Sequence, residues 1–203
     1  MTNHDAFNDE DLLRLALAGD EGAFTALYRR RQPSVYRFAL QMSGSRSVAE
    51  DVTQEVFLTL VRDGQRFDPE RGRLLAFLFG IARHHVLRRL ARERSFIQMA
   101  EGEDDASSAT LVAEGDPLDE LTRGEMIAQV RAAVLALPPH YREVVVLCEL
   151  HEMSYAEAAE VIGCAIGTVR SRLHRARLML IEKLRGTRDE TASRAVNPAG
   201  CFA

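Results

Sequence analysis

The sequence lacks several features that would assign it to common protein classes. Its 203 residues include no Trp and only three Cys, which are too few and too scattered for a disulfide framework. Nowhere do about 18 apolar residues run together, so no membrane span is expected. The acidic N-terminus has no apolar stretch of the kind found in secretory signals. These absences predict a cytoplasmic protein without membrane insertion.

Charge is concentrated in blocks, although the whole chain carries a net charge of only −4. Residues 71–94 hold seven Arg against one Glu, and residues 166–188 hold six Arg and one Lys against one Glu, so each block carries +6. Residues 1–28 and 100–125 are acidic, with net charges of −5 and −8. Each block is wider than the Debye length of roughly 8 Å, so it presents its own field. The two basic blocks favour a polyanionic partner over merely solvated helix surfaces.

Apolar residues recur with helical spacing almost throughout the chain, which predicts an all-α fold. The expected helices cover about 10–18, 21–42, 47–63, 73–94, 121–136, 139–150, 154–162 and 166–185. The third of these helices is expected to begin with a capping box at Ser47. We expect two small helical domains, 1–96 and 122–186, joined by a flexible acidic linker at 97–121. A disordered tail is expected at 187–203.

The second domain carries the pattern of a helix-turn-helix. A capping box at Ser154 begins a short helix, and a turn at residues 163–165 contains Gly163, which suits a left-handed C-cap. A longer helix follows from Ile166, and this order of elements is typical of the motif.

The 3.6-residue period divides this second helix into two faces. The face expected in the core holds Val169, Leu173, Ala176 and Leu180. The opposite face is polar and basic, so it suits a major groove. Base contacts are expected from Ser171, His174 and Arg175, and phosphate or mixed contacts from Arg170, Arg172 and Arg177. The alternative is a helical hairpin with a solvated basic face.

The first domain carries two charged surfaces whose function the residues alone do not establish. One is acidic and polar, with Glu50, Asp51, Gln54 and Glu55 on one helix. The other is basic, from Arg71 to Arg94, and contains Phe77 and Phe79. Aromatic and basic side chains together can hold single-stranded bases, but phenylalanines at this spacing are more often part of a core.

The chain resembles an extracytoplasmic-function sigma factor, a bacterial RNA polymerase subunit, over about residues 8–96 and 125–185. Five segments carry the resemblance, namely 20–28, 49–57, 67–72 with 77–83, 137–144 and 167–177. Four positions depart from the family pattern. Phe77 stands where Trp is frequent, His84 where Asn is common, Arg88 where Asp is common, and His174 where many relatives have a bulky residue. His84 and Arg88 make the surface more basic, so the sequence preference at the −10 promoter element is not carried over.

The resemblance implies a mechanism with two DNA contacts and one protein contact. Docking on the clamp helices of the core polymerase would use Asp51, Gln54, Glu55 and Phe57. The loop near 63–72 would capture a flipped base of the −10 element, and the surrounding DNA contacts would come from Arg71, Arg83, His84, Arg88, Arg89 and Arg92. The second domain would read the −35 element, and the acidic linker would pass through the polymerase toward its RNA exit path. The sequence leaves open whether an anti-sigma factor regulates the chain.

Other candidate sites are weak. Neighbouring helical residues point about 100° apart, so His84 and His85 do not form a metal site, and Cys148 with His151 supplies only two ligands. No catalytic or nucleotide-binding motif is present, so we expect a protein without cofactor, metal or enzymatic activity. Two other interpretations stay open: a stand-alone helix-turn-helix regulator with a sensing N-terminal domain, and a small hydrolase using His84 or His85.

Overall fold

The computed structural model describes residues 4–100 and 119–195, and within these ranges the chain is helical without strands. This confirms the predicted all-α class. The helices are α1 (Asp9–Leu17), α2 (Glu21–Ser43), α3 (Arg46–Asp63), α4 (Leu74–Ala100), α5 (Asp119–Leu135), α6 (Pro139–Val145), α7 (Tyr155–Ile162) and α8 (Ile166–Ala195). Helix α6 continues into a π-helical turn, Val146–Leu150. No helix in the described part of the chain is long and apolar enough to cross a membrane.

The boundaries of α1 and α2 follow from capping side chains. Asn8 accepts a hydrogen bond from the backbone N–H of Asp11 at 2.7 Å, and Asp20 accepts one from that of Ala23 at 2.9 Å. Each bond satisfies a backbone donor that has no partner inside its helix. At the other end of α2, Gly44 has a φ of 74°, a left-handed conformation that suits glycine and ends the helix.

Helix α3 begins earlier than predicted. Its N-cap is Ser45, whose hydroxyl accepts from the backbone N–H of Val48 at 3.4 Å. The predicted capping residue, Ser47, is already inside the helix, and its hydroxyl lies 3.1 Å from that of Ser45. The prediction was wrong because Ser45, and not Ser47, has the extended backbone (φ −117°, ψ 127°) that an N-cap needs.

Helices α1–α4 form an N-terminal unit around a buried core. Phe38 of α2 and Phe79 of α4 are both fully buried, and their rings stack with centroids 4.9 Å apart. Phe77 is only partly covered and packs against Phe67, with ring centroids 5.6 Å apart. The core interpretation of Phe79 is therefore correct, and its ring is not available to stack on a base.

Helices α5–α8 form a C-terminal unit that contains the helix-turn-helix. The capping box between Ser154 and Glu157 is present at the start of α7, and Gly163 ends α7 with a φ of 74°. Along α8, Val169, Leu173 and Ala176 are at most 1% exposed. The face predicted for the core is therefore the buried one, with Leu180 half-buried at its end.

The structure changes the predicted residue bounds of the acidic linker and of the C-terminal tail. Helix α8 runs to Ala195, although disorder was expected from residue 187. A single Gly inside a helix costs only about 1 kcal/mol relative to Ala, and no further Gly or Pro follows Gly186 before Pro198, so α8 continues through Gly186. Likewise α4 reaches Ala100 and α5 begins at Asp119. The rest of the linker, 101–118, and the rest of the tail, 196–203, lie outside the described residues.

The two units pack against each other, which the sequence did not predict. Helix α4 contacts α7, and α2 contacts both α5 and the π-helical turn, so the buried side chains of both units form one continuous core. His151, at the end of that turn, places its ring edge-on to Phe79 with centroids 4.7 Å apart. Its Nε2 lies 2.9 Å from Oε1 of Gln41 on α2. This packing places α4 and the helix-turn-helix side by side.

Candidate nucleic-acid and partner interfaces

The outward face of α8 is open to solvent near the start of the helix. Ser171, His174 and Arg175 are all exposed or half-exposed, and the hydroxyl of Ser171 donates to the backbone carbonyl of Thr168 at 3.0 Å. His174 and Arg175 make no hydrogen bond or ion pair with the described residues. The side chains predicted to contact bases are therefore unobstructed.

The flanking arginines of α8 differ from one another. Arg170 places its guanidinium 5.9 Å from the ring centroid of Tyr155 on α7, within the range of a cation–π contact. Arg177 donates from Nε to Glu149 at 3.2 Å, and this exposed ion pair raises the pKa of Arg177. Arg172 is partly buried and donates from Nη1 to Glu143 at 3.2 Å. Of the three, Arg172 is the one that pairs with a buried carboxylate.

The basic surface of the N-terminal unit is only partly available. Arg71, His84, Arg88 and Arg92 are exposed. Arg89 instead pairs with Asp51 of α3 at 2.9 Å. Arg83 donates from Nε to Glu143 at 2.8 Å across the junction between the units. The sequence placed these six residues on one helix and its preceding loop, but it did not show that two of them have acidic partners.

The polar face of α3 exposes three of the four residues expected to contact polymerase. Asp51, Gln54 and Glu55 face solvent, whereas Phe57 is only 3% exposed. The ring of Phe57 packs between helices α2 and α3, with its centroid 4.7 Å from that of Tyr28. The assignment of Phe57 to the contact surface was wrong, because a ring buried in this way stabilises the surface from beneath.

Two apolar residues continue the exposed face of α3 and were missed from the sequence. Leu58 is 65% exposed and Val61 is 57% exposed. Both follow Gln54 and Glu55 at helical spacing, so the 3.6-residue period could have placed them on the same face. Exposed aliphatic side chains next to polar ones are characteristic of protein interfaces. We define the α3 face as Asp51, Gln54, Glu55, Leu58 and Val61.

Glu143 of α6 is another functional candidate that the sequence did not reveal. Its side chain is 2% exposed and accepts from Arg83 of α4 through Oε2 and from Arg172 of α8 through Oε1. A buried carboxylate is costly unless it is paired and hydrogen-bonded, and here each oxygen has a guanidinium partner. We call Glu143, Arg83 and Arg172 the Glu143 cluster.

Further polar contacts hold the units together around the Glu143 cluster. Arg73 pairs with Glu157 of α7. Burial opposes the ionised form of Glu157, but hydrogen bonds from Ser154 and Arg73 outweigh burial and lower its pKa. Arg142 donates to the backbone carbonyl of Met42 in α2 and to that of Leu137 in its own unit.

Among the residues that the structure describes, no group of three His, Cys, Asp or Glu side chains could hold a metal ion. The rings of His84 and His85 lie edge to face, 5.9 Å apart, and the partial burial of His85 lowers its pKa. The arrangement thus offers surfaces for macromolecules and exposed cations for an anionic partner.

Comparisons with known proteins agree with this organisation. The family model described as Sigma-70 region 2 matches residues 27–96, and the one described as Sigma-70, region 4 matches residues 127–180. The chain is 34% identical over 180 residues to the ECF RNA polymerase sigma factor SigE of Mycolicibacterium smegmatis, covering 87% of this chain and 68% of that protein. It is 36% identical over 180 residues to the ECF RNA polymerase sigma factor SigC of Mycobacterium tuberculosis, covering 87% and 92%.

Solved structures show the same fold. The sigma factor RpoE of Bartonella quintana, in complex with the anti-sigma factor NepR, superposes with a TM-score of 0.65 at 28% identity, covering 80% of this chain and 96% of that one. CnrH in complex with the cytosolic domain of CnrY superposes with a TM-score of 0.64 at 28% identity, covering 88% and 97%. With relatives more than 30% identical over most of their length, the chain belongs to the extracytoplasmic-function RNA polymerase sigma factors of the sigma-70 family.

Proposed function

We propose that this chain binds core RNA polymerase through the α3 face and directs promoter-specific initiation. In this proposal the N-terminal unit captures and melts the −10 element and α8 reads the −35 element. The observation that carries the proposal is the presence of two different surfaces in one chain, an exposed mixed apolar and acidic face on α3 and an exposed basic reading face on α8. The proposal assigns no catalytic step to the chain and places it in the cytoplasm with the polymerase.

The α3 face also separates this proposal from the alternative of a stand-alone regulator. A helix-turn-helix regulator needs α8, but it has no need for Leu58 and Val61 to be exposed beside three polar residues. Apolar side chains in water cost free energy, and burial in a partner recovers roughly 25 cal/mol per Å². The α3 face is therefore better explained by a protein partner.

Several side chains have distinct roles in this proposal. His174 and Arg175, free and near the start of α8, would reach base edges. Arg170 and Arg177 would contact phosphates, as would Arg71, His84, Arg88 and Arg92 in the N-terminal unit. Taking a base out of the DNA stack costs a few kcal/mol of stacking and pairing free energy. Contacts between these cationic side chains and the DNA backbone would offset that cost.

Run-off transcription with purified core polymerase tests the proposal. The template is the region upstream of this chain's own coding sequence. We expect a discrete transcript only when core polymerase and this chain are both present. The proposal fails if no specific transcript forms while the chain alone binds the same DNA as an operator.

An anti-sigma factor is a further proposed partner. The structural relative RpoE is bound to the anti-sigma factor NepR, and its fold covers most of this chain. Co-purification from the native host, followed by inhibition of the run-off reaction by the captured protein, tests this partner. A captured protein without effect on transcription argues against it.

A further inference from the structure

His174 differs chemically from the other two residues of α8 that were predicted to contact bases. Arg175 carries a permanent positive charge. Ser171 is neutral, and its hydroxyl hydrogen is donated to the backbone carbonyl of Thr168 at 3.0 Å. A histidine gains a proton between about pH 8 and 5, and this changes both its charge and its hydrogen-bonding pattern. The chemistry of the outward face of α8 therefore depends on the protonation of His174.

Two arginines held by other residues flank His174 along α8. Arg170 lies one turn before His174 and Arg177 one turn after it, and residues at these spacings are neighbours on a helix surface. The guanidinium of Arg170 lies 5.9 Å from the ring centroid of Tyr155, and Arg177 donates from Nε to Glu149 at 3.2 Å. His174 itself is exposed and forms no hydrogen bond or ion pair with the described residues. A free imidazole therefore stands beside two positioned cations.

No acidic side chain in the described part of the chain supplies His174 with a counter-charge. Among the helices that contact α8, α6 directs Glu143 to Arg172 on the inward side of α8, and α7 directs Glu157 to an arginine of the N-terminal unit. The remaining acidic side chains described on those helices are exposed and form no ion pair: Glu125 and Glu160. Protonation of His174 in the free chain would thus add a third cation beside two others, and like charges at this spacing repel.

Promoter DNA reverses the electrostatics around His174. A helix in the major groove has phosphates on both sides, and nearby opposite charge favours the charged form of a titratable group. Gly167 lies about two turns before His174 on the same side of α8, and a Cβ built there would meet no atom within 4 Å. The N-terminal end of the outward face is therefore open to DNA. Binding in the groove favours protonation of His174, so the complex takes up a proton that the free chain does not hold.

Protonation also changes which base His174 matches. A neutral imidazole has one N–H donor and one acceptor nitrogen, whereas a protonated imidazole donates from both nitrogens. In the major groove guanine presents two acceptors, O6 and N7, whereas adenine presents the N7 acceptor beside an N6 amino donor. One N–H of the protonated ring can donate to guanine while the other donates to a neighbouring acceptor. An adenine in the same place would set its amino donor against the imidazolium.

We propose that His174 makes recognition of the −35 element proton-dependent, because it is protonated when α8 enters the major groove and then selects guanine at the base that it contacts. This role rests on the proposed sigma-factor function. It extends that function by naming the base and the proton that α8 uses. Arg170 and Arg177 remain phosphate contacts, and His174 supplies the charge that changes on binding.

The test uses holoenzyme reconstituted from core polymerase and the full-length chain. Fluorescence anisotropy measures its affinity for a labelled duplex from the region upstream of the chain's own coding sequence, and for the same duplex with the −35 element replaced. The ratio of the two affinities cancels the titration of the polymerase and of the N-terminal unit. Uptake of one proton changes an affinity by at most tenfold per pH unit. We expect the ratio to rise about fivefold for the wild type as the pH falls from about 8 to about 6.

Three variants separate the titration of His174 from other causes. His174→Gln keeps a hydrogen-bonding side chain that does not titrate in this range, so its ratio should not change with pH. His174→Lys is cationic throughout, so its ratio should be equally flat but should exceed that of the wild type at pH 8. The matched control is His140→Gln, since His140 is an exposed histidine of the same unit that lies outside α8. It should keep the wild-type rise, and circular dichroism verifies the helical content of every variant.

Replacing each guanine of the −35 element in turn by adenine, with thymine opposite, tests the choice of base. At one position the replacement should abolish the rise of the wild-type ratio at low pH, and it should have no such effect on His174→Gln. Equal rises in the wild type and in His174→Gln would overturn the proton role. A rise that depends on His174 but survives every guanine replacement would overturn the selection of guanine.

Failure of this role differs from failure of the proposed function. If His174 does not take up a proton, the holoenzyme still prefers the duplex with the −35 element and still makes the run-off transcript. If the chain is not a sigma factor, the transcript is absent and the two duplexes bind equally at every pH.

Discussion

Helices α4 and α8 lie in sequence blocks that each carry a net charge of +6. Among the described residues, each helix has two arginines paired with acidic side chains of other helices, but the partners lie in different places. On α8, Arg172 and Arg177 pair with Glu143 and Glu149 of the same unit, whereas on α4 Arg83 pairs with Glu143 across the junction between the units and Arg89 pairs with Asp51 of α3. The sequence therefore sets how many cationic side chains a helix carries, and tertiary packing sets which of them remain exposed for an anionic partner.

The largest expected change in stability tests the division of α8 into a buried face and an exposed face. Replacing Leu173, which is 1% exposed, with Ala should lower the free energy of unfolding by about 2–5 kcal/mol because it leaves a cavity. The neighbouring exposed residue gives the control, since His174→Ala should change that free energy by less than about 0.5 kcal/mol. Chemical denaturation followed by circular dichroism measures both, and similar losses would contradict the assignment of faces.

The second prediction concerns the available charge of α8. Arg175→Ala should weaken promoter use by about 1–3 kcal/mol when the template carries the −35 element, because a base contact is lost. Run-off transcription on matched templates with and without that element gives the measurement. Equal losses on both templates would mean that Arg175 does not read bases.

The third prediction concerns the packing of the two units against each other at His151. Burial lowers the pKa of His151 from 6.5 to about 4, with a smaller contribution from Arg37. An opened or unfolded chain therefore binds a proton at His151 that the packed form does not. The neutral, buried imidazole of His151 therefore contributes fully to the stability of the folded chain above about pH 6.5. This stability is lost as the pH falls from 6.5 toward 4, and the loss is about 1–2 kcal/mol after allowance for the partial exposure of the ring.

His151→Gln provides the comparison for this pH dependence. Denaturation at several pH values between 7 and 4 should show a steeper loss of stability in the wild type than in the variant. The carboxylates that also titrate in this range are common to both proteins, so they cancel in the difference. Parallel pH profiles would exclude His151 as the source.

The smallest expected effect concerns the α3 face. Asp51→Arg should weaken the affinity for core polymerase about tenfold, roughly 1.4 kcal/mol, because it reverses a charge on the proposed contact surface. It also places a cation beside Arg89, so Asp51→Asn serves as the variant that removes the pair without reversal. Native gel or anisotropy titration with core polymerase measures the affinity, and wild-type binding by Asp51→Arg would refute the interface.

Local patterns of sequence predicted the helices well but placed some boundaries and faces wrongly. The capping box of α7 and the left-handed Gly163 depend on residues close in sequence, and both were predicted correctly. Ser47 was predicted as the N-cap of α3 because Glu50, three residues later, completes a capping-box pattern, whereas the observed N-cap is Ser45. Phe57 was assigned to a surface by resemblance, although helical spacing from Leu60 places it on the buried side.

The sequence by itself determined the helical class, the helix-turn-helix, the basic outward face of α8 and the polar face of α3. These features follow from periodicity, capping and turn chemistry, which act over a few residues. Only the tertiary structure decided which cations are available and how the two units meet. The Glu143 cluster joins side chains 60 and 29 residues apart, and its formation depends on the burial of surfaces that no local pattern specifies. Opposite charges far apart in a sequence form a buried ion pair only when packing brings them together and excludes water from between them.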